Sequence, residues 1–321
     1  MKAVIHERFG FDGVDFRDVP VPAISDDQVL VRVRASSVNP LEWYDVSAPP
    51  FYRLLSGQLR RPKNSQLGVD FAGTVESVGK DVKGLAAGDD VFGTASGSWA
   101  EYAVAQPSRV ATKPADISFQ DAAALPIAAL TALQALRDVG KVRAGHKVLV
   151  NGASGGVGTY AVQIAKALGA DVTAVCSTNN VEQANALGAD RVIDYTKEDF
   201  TNSPMRHDVM IDIAGSRSYL RFRRILTGDA IVALVGAKMS SSIFGPLKHM
   251  VGTKLLSIGR RHKVKFFVTK VGTEDLGVLR EMMQSARLRS VIDRRYALGD
   301  AVDALRDLGE GHARGKIVIE M

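Results

Sequence analysis

Period-two alternation of apolar and polar residues dominates the first third of the chain. KAVIHE (2–7), QVLVRVRASSV (28–38), GVDFAGTVESVG (68–79), DDVFG (89–93) and SWAEYAVA (98–105) are rich in β-branched and aromatic residues, and Gly, Pro and Asp punctuate them. Alternate side chains of a strand point to opposite faces, so several such short runs predict an all-β barrel or sandwich up to about residue 115. The period changes at Ser118. SFQDAAALPIAALTALQALRDVG (118–140) sets Ser118 three residues before Asp121, the spacing of a capping box, and predicts a helix. Apolar runs then alternate with amphipathic ones. Strands are expected in HKVLVNGA (146–153), DVTAVCS (171–177), DRVIDY (190–195), HDVMIDIAG (207–215) and AIVALVG (230–236). Helices are expected in GGVGTYAVQIAKALG (155–169), VEQANALG (181–188) and SYLRFRRILT (218–227). That order predicts an α/β, doubly wound parallel sheet. Past Arg260 the texture mixes, with helices in 273–288 and 299–311, an extended run in 290–298 and a last strand in ARGKIVIEM (313–321). The expected division is 1–119, 120–260 and 261–321.

Composition narrows the class. At 321 residues, 46% hydrophobic and 24% charged, the chain fits a folded protein of two domains. Its one cysteine, Cys176, permits no intramolecular disulfide, four-cysteine zinc site or Cys-x-x-Cys pair. A net charge of +6 permits anionic ligands without the dense basic stripe of a dedicated nucleic-acid binder. The N-terminus lacks the apolar core of a secretory signal, and the longest apolar run (122–136) contains Pro126 and is too short to span a bilayer. A cytoplasmic protein is expected.

The strongest chemical signal is VLVNGASGGVGTYAVQIAKALGADVTAVCS (148–177), in which strand, glycine turn, helix and second strand follow in the order of a dinucleotide-binding unit. In G-x-G-x-x-G register the positions are Ala153, Gly155 and Gly158, with Ser154, Gly156 and Val157 between them. Gly155 lets the backbone approach a pyrophosphate, Gly158 lets helix and strand pack closely, and free N–H groups at the helix start meet phosphate charge. A glycine turn in a purely structural βαβ unit is the competing explanation. The end of the second strand carries Ser177 and Thr178 where an NAD site carries a carboxylate for the ribose 2′-hydroxyl. That favours NADPH over NADH, although Thr178, Asn179 and Asn180 supply no cation and Glu182 is acidic. Tyr195 and Arg191, one strand further on, are supplementary contacts.

These blocks, with ASSVNPLEWY, LGVDFAGTVESVG, AEYAVA, AALPIAALTALQAL, LGADRVIDYTKEDF and GHARGKIVIE, span nearly the whole chain. Together they resemble the medium-chain dehydrogenases/reductases, in the zinc-independent quinone oxidoreductase branch, and the later half is similar to chloroplast-envelope quinone oxidoreductase homologues. The resemblance implies a GroES-like barrel, a Rossmann domain, a C-terminal segment returning to the barrel, an active site in the cleft, and a homodimer. Where zinc-dependent relatives carry ligands this chain has Asn39 and Gly68-Val69-Asp70, and its six histidines show no short-spaced pair, so no zinc is expected. Without a Lewis acid the expected substrate is an activated acceptor, a quinone or α,β-unsaturated carbonyl. The implied catalytic donors are Asn39, Tyr44 and Tyr52. The implied cofactor contacts are Thr131, Ala153, Ser154, Gly155, Gly156, Val157, Gly158, Ser177, Thr178, Tyr195, Ala214, Gly215, Val235 and Gly236. Blander roles compete: a turn at Asn39-Pro40, packing for the tyrosines, and a hydroxyl bonded to its own helix for Thr131.

Two other functions stay open. GRRHKVKFFVTK (259–270) gathers five cations around Phe266 and Phe267, which fits RNA or a membrane surface, or else a solvated loop leading into a strand with two core phenylalanines. A non-catalytic, crystallin-like protein on the same fold is the third. SSSIFGPLKHM (240–250) is expected to be a mobile segment, over the cleft or at a dimer contact.

Overall fold

In the computed structural model the structure describes residues 1–57, 61–62, 65–236 and 245–321. The chain opens with β1 (Lys2–His6), β2 (Val14–Asp18) and β3 (Val29–Ser37), then α1 (Pro40–Ser47) and α2 (Pro50–Ser56). It continues through β4 (Asp70–Val78), β5 (Asp90–Thr94), β6 (Tyr102–Ala105), β7 (Val110–Thr112), α3 (Phe119–Ala123) and α4 (Pro126–Gln134). The middle holds β8 (Lys147–Asn151), α5 (Gly156–Ala167), β9 (Asp171–Cys176), α6 (Val181–Ala186), β10 (Arg191–Asp194) and β11 (His207–Asp212). After these come α7 (Tyr219–Phe222), β12 (Leu226–Leu234), α8 (Gly245–Ser257) and β13 (Lys263–Phe266). The chain closes with α9 (Thr273–Gln284), β14 (Ile292–Ala297), α10 (Ala301–Glu310) and β15 (Lys316–Glu320).

One compact unit comprises Met1–Leu130 and Lys270–Met321, the other Thr131–Thr269. The divisions fall later than the texture changes at 119/120 and 260/261. Two contacts explain the offset: α3 packs on β3 and β4, and β13 joins the parallel sheet through β12. The expected return of the C-terminal segment appears as β15 pairing antiparallel with β3 in the first unit.

In that unit the strands run β14-β15-β3-β4-β5-β7, with β6 also on β3. The long β3 changes partner along its length, meeting β6 over Val29–Arg32 and β15 over Ala35–Ser37. Its alternation is realised: Val29, Val31 and Val33 pack with Phe71, Val75 and Val91, while Arg32 and Arg34 face outward. The helices α1 and α2 interrupt the β region, α1 following the turn expected at Asn39-Pro40. Each begins at a proline (Pro40, Pro50), whose fixed φ and missing N–H suit the first helical position.

The second unit is a six-stranded parallel sheet in the order β10-β9-β8-β11-β12-β13. Strands 8, 9 and 10 step one way and 11, 12 and 13 the other, so the strand order reverses beside β8. That is the switch point where such sheets open a crevice for ligands. The helix expected from Ser118 is broken: Ser118 caps α3 by accepting from Asp121 N–H at 3.0 Å, and Pro126 starts α4. The expected 218–227 helix shrinks to the single turn of α7 because Leu226 already begins β12. Part of the expected mobile segment, 240–244, lies outside the described residues, and helix α8 begins at Gly245. The two core phenylalanines are also corrected. β13 is an edge strand whose buried residue is Val264, while Phe266 is 58% exposed and Phe267 half-buried.

Candidate functional site

The glycine turn leaves β8 through Gly152, whose φ of +95° favours glycine; sequence register missed it by starting at Ala153. Gly152 and Ala153 both donate backbone N–H to Val175 O, at 3.2 and 3.0 Å, which pins the turn to β9. Gly158 admits no side chain, since a Cβ there would stand 2.1 Å from Gly152 O. A Cβ on Gly155 would meet nothing within 4 Å. The two glycines therefore do different things: Gly158 closes helix on turn, and Gly155, the N-cap of α5, keeps open the space at the helix start where N–H groups point outward.

Ser177 and Tyr195 end the neighbouring strands. Ser177 Oγ accepts from Asn180 Nδ2 at 3.0 Å, and the half-exposed Tyr195 donates its N–H to Cys176 O at 3.0 Å. Thr178 Oγ1 donates to Asp194 Oδ2 at 2.6 Å, and Lys197 Nζ stands 3.5 Å from the same oxygen. The hydroxyls of Thr178 and then Thr196 hold the Asp194 carboxyl down at about 2. Lys197, 70% exposed, brings a cation to this corner from a strand away, in YTK. Arg191 is corrected: it starts β10, at the opposite edge from the strand ends, and its Nη1 pairs with Asp171 at 3.3 Å.

At the ends of β11 and β12, Ala214 N donates to Asn151 O (3.2 Å), Gly215 N to Asp212 Oδ1 (3.2 Å), and Val235 and Gly236 N to Asp212 O (2.9 and 3.3 Å). The structure thus places Ala153, Ala214, Gly215, Val235 and Gly236 just past the adjoining ends of β8, β11 and β12, with Ser177, Thr178 and Tyr195 at the ends of β9 and β10. Thr131 is nearly buried, and its Oγ1 pairs with Thr269 Oγ1 at 2.8 Å.

The first unit contains a second constellation, built on Asp70 at the start of β4. Its Oδ2 accepts from Ser37 Oγ (2.9 Å), Asn39 Nδ2 (3.0 Å) and Lys316 Nζ (3.4 Å), and its Oδ1 from Ile127 N at the start of α4 (3.0 Å). Lys316 also donates to Asn39 Oδ1 at 2.6 Å and Val38 O at 3.0 Å. One buried carboxylate so ties together β3, α1, α4 and β15. Asn39 accordingly spends its carbonyl on Lys316 and one amide hydrogen on Asp70. Glu42, fully buried, accepts from Asn39 N at 2.9 Å through Oε2. Burial first, then the Asp70 carboxylate, push Glu42 up to about 8, against the pull of Lys316 and backbone N–H groups. Glu42 Oε1 has no hydrogen-bond partner among the described residues, and Glu42 lines a cavity of about 90 Å³ with His6, Asp45 and Gln66.

Tyr44 and Tyr52 are brought together, their rings stacked at 5.7 Å. Tyr52 donates its hydroxyl to Asp45 Oδ1 at 2.6 Å, and burial and that bond raise its pKa, so its proton is firmly held. The Lys316 ammonium stands beside Asn39 and Asp70 as counter-ion, and the described residues include no group of three or more His, Cys, Asp or Glu able to hold a metal ion. Neither Glu42 nor Lys316 had announced itself in the sequence, since each sits in an ordinary amphipathic or strand pattern.

An open glycine turn at the switch point of a doubly wound sheet, inserted in a β unit, is the architecture of dinucleotide-dependent oxidoreductases. Residues 25–115 match the family described as alcohol dehydrogenase GroES-like domain, and residues 187–319 the family described as zinc-binding dehydrogenase. The 2-methylene-furan-3-one reductase of Solanum lycopersicum is 35% identical over 94% of this chain and 74% of its own. The chloroplast envelope quinone oxidoreductase homolog of Arabidopsis thaliana is 32% identical over 97% of this chain and 95% of its own. The quinone oxidoreductase structure from Coxiella burnetii superposes with a TM-score of 0.86 at 30% identity, covering 100% of this chain and 99% of that one. The chain belongs to the medium-chain dehydrogenase/reductase superfamily, in its quinone oxidoreductase branch.

Proposed function

We propose that the protein is an NADPH-dependent, zinc-independent reductase that passes hydride to a quinone or an α,β-unsaturated carbonyl. The observation that carries this is the anion-ready turn at the switch point: Gly155 open, Gly158 closed, and a strand end with Ser177 in place of a carboxylate and Lys197 close by. Ser154 to Gly158 would hold the pyrophosphate, Ser177, Thr178, Tyr195 and Lys197 the adenosine end with its 2′-phosphate, and Thr131, Ala214, Gly215, Val235 and Gly236 the nicotinamide end. Bound NADPH supplies the hydride. The names of both relatives accord with this, since a quinone and a methylene-furanone are conjugated carbonyl acceptors. NADH is expected to bind more weakly. Asn39, Tyr44 and Tyr52 are carried forward as acceptor contacts, with Tyr52 the poorest proton source because Asp45 holds its hydrogen.

A homodimer is part of the proposal. In and just after α8 and β13, Leu255 (60%), Ile258 (68%), Phe266 (58%) and Val268 (73%) are exposed, and β13, which pairs on one side only among the described residues, favours pairing with a second copy. On this reading the exposed face serves assembly rather than RNA.

The test is fluorescence titration with NADPH and NADH, followed by phenanthrenequinone and an alkenal while the reduced nicotinamide band is monitored, with and without chelator. Tighter binding of NADPH and chelator-insensitive oxidation by either acceptor are expected. Absence of nucleotide binding overturns the proposal, and chelator-sensitive turnover overturns its zinc-independence.

A further inference from the structure

The second unit holds a cavity of about 400 Å³ beyond the end of β11, lined by Gly215, Arg217, Tyr219, His249, Thr253 and Leu256. On its wall His249 Nε2 meets Asp212 Oδ2 at 2.9 Å. The Asp212 side chain is only 1% exposed and is itself held, since its Oδ1 accepts from Asn151 Nδ2 at 2.7 Å and from Gly215 N–H at 3.2 Å. A buried carboxylate fixed by two other donors orients the imidazole and selects the tautomer with hydrogen on Nε2. With Nε2 on Asp212, the other ring nitrogen is Nδ1, on a ring that lines the cavity. Asp212 and Asn151 are register partners, so the pair stands at the adjoining ends of β8 and β11, at the switch point itself.

We propose that His249, positioned by Asp212, is the proton donor to the reduced acceptor. This rests on the reductase reading above. The acceptor gains hydride at one carbon, and the electron pair of its conjugated system moves onto the carbonyl oxygen. The His249 Nδ1–H bond then breaks, and its proton completes the product at the α-carbon of an enone or the oxygen of a quinone. A proton from water replaces the one transferred, so one hydride and one proton are consumed per acceptor. Arg217 lines the same cavity while its Nε pairs with Asp199 at 3.2 Å.

The experiment compares wild type with His249→Gln and Asp212→Asn, using phenanthrenequinone and an alkenal in H₂O and D₂O, with NADPH binding measured separately by fluorescence. His249→Gln is expected to bind NADPH within about threefold of wild type while kcat falls about a hundredfold, the usual contribution of a positioned acid. Its solvent isotope effect is expected to rise, and added imidazole to restore part of the rate. In the nucleotide-free protein, ¹⁵N-histidine spectra are expected to show the Nε2–H tautomer at His249 and its loss in Asp212→Asn. An active wild type with an unchanged kcat and isotope effect in His249→Gln overturns the donor assignment alone. A fall in kcat with neither imidazole rescue nor an altered isotope effect also overturns it, leaving His249 a tie between α8 and β11. An inactive wild type that binds no nucleotide overturns the reductase reading, and the donor role with it.

Discussion

Replacing Glu42 with glutamine is expected to remove a pH dependence of stability that the wild-type protein carries between about pH 5 and 8. In the folded protein Glu42 is pushed from its ordinary 4.5 up to about 8. The native state therefore holds a proton there that the unfolded chain releases, and stability falls as pH rises across that window. Glu42's stabilising contribution is whole below its unfolded value and lost as pH climbs through the folded one. The window spans about 3.5 pH units at about 1.4 kcal/mol each, or roughly 5 kcal/mol in all and roughly 3 kcal/mol by pH 7. Glutamine keeps the acceptor for Asn39 N and carries no charge, so Glu42→Gln is expected to be the more stable protein at pH 8. His6, His207 and His262 are all lowered, first by burial, and act in the opposite sense, gaining stability as pH rises toward their ordinary 6.5. They are common to both proteins, and the difference isolates Glu42. Urea unfolding at half-unit steps from pH 5 to 9 measures it. Parallel curves for the two proteins would refute the reasoning, because they would mean Glu42 ionises alike in the folded and unfolded chain.

The glycine turn separates two effects. Gly158→Ala is expected to cost about 1–3 kcal/mol of stability in urea, since its methyl meets Gly152 O. Gly155→Ala is expected to leave stability within about 0.5 kcal/mol while weakening NADPH in fluorescence titration about tenfold. Lys197→Ala is expected to weaken NADPH about tenfold and NADH less than about twofold, with the difference shrinking at high salt. Lys316→Met strands the Asp70 carboxylate in the interior and is expected to cost about 3–5 kcal/mol in urea unfolding. Phe266→Lys with Val268→Lys is expected to convert a dimer to a monomer in light scattering without altering the circular dichroism spectrum.

Local pattern carried most of the architecture. Alternation at Val29–Val33 and apolar runs at Val148–Val150 and Met210–Ile211 specify strands because side-chain burial follows their period, and the glycine turn was readable because strand, glycines and helix are contiguous. It failed where two local rules compete. Asn39-Pro40 reads as a turn, yet Pro40 starts α1, and the burial of Val46 on that helix is a tertiary fact. Phe266 reads as core by composition, yet it lies on an edge strand, and which strand ends the sheet is a property of topology.

The sequence by itself determined the fold class, the nucleotide turn and the absence of a carboxylate at Ser177, because each is written within about 30 consecutive residues. Tertiary structure alone decided the rest. Asp70 meets Lys316 across 246 positions, Asp212 meets His249 across 37, and Lys197 reaches the Ser177 corner only through Asp194 on the next strand. Charges and hydrogen bonds act over a few ångströms of space, and a chain separates or joins such groups by its folding, not by their order along it.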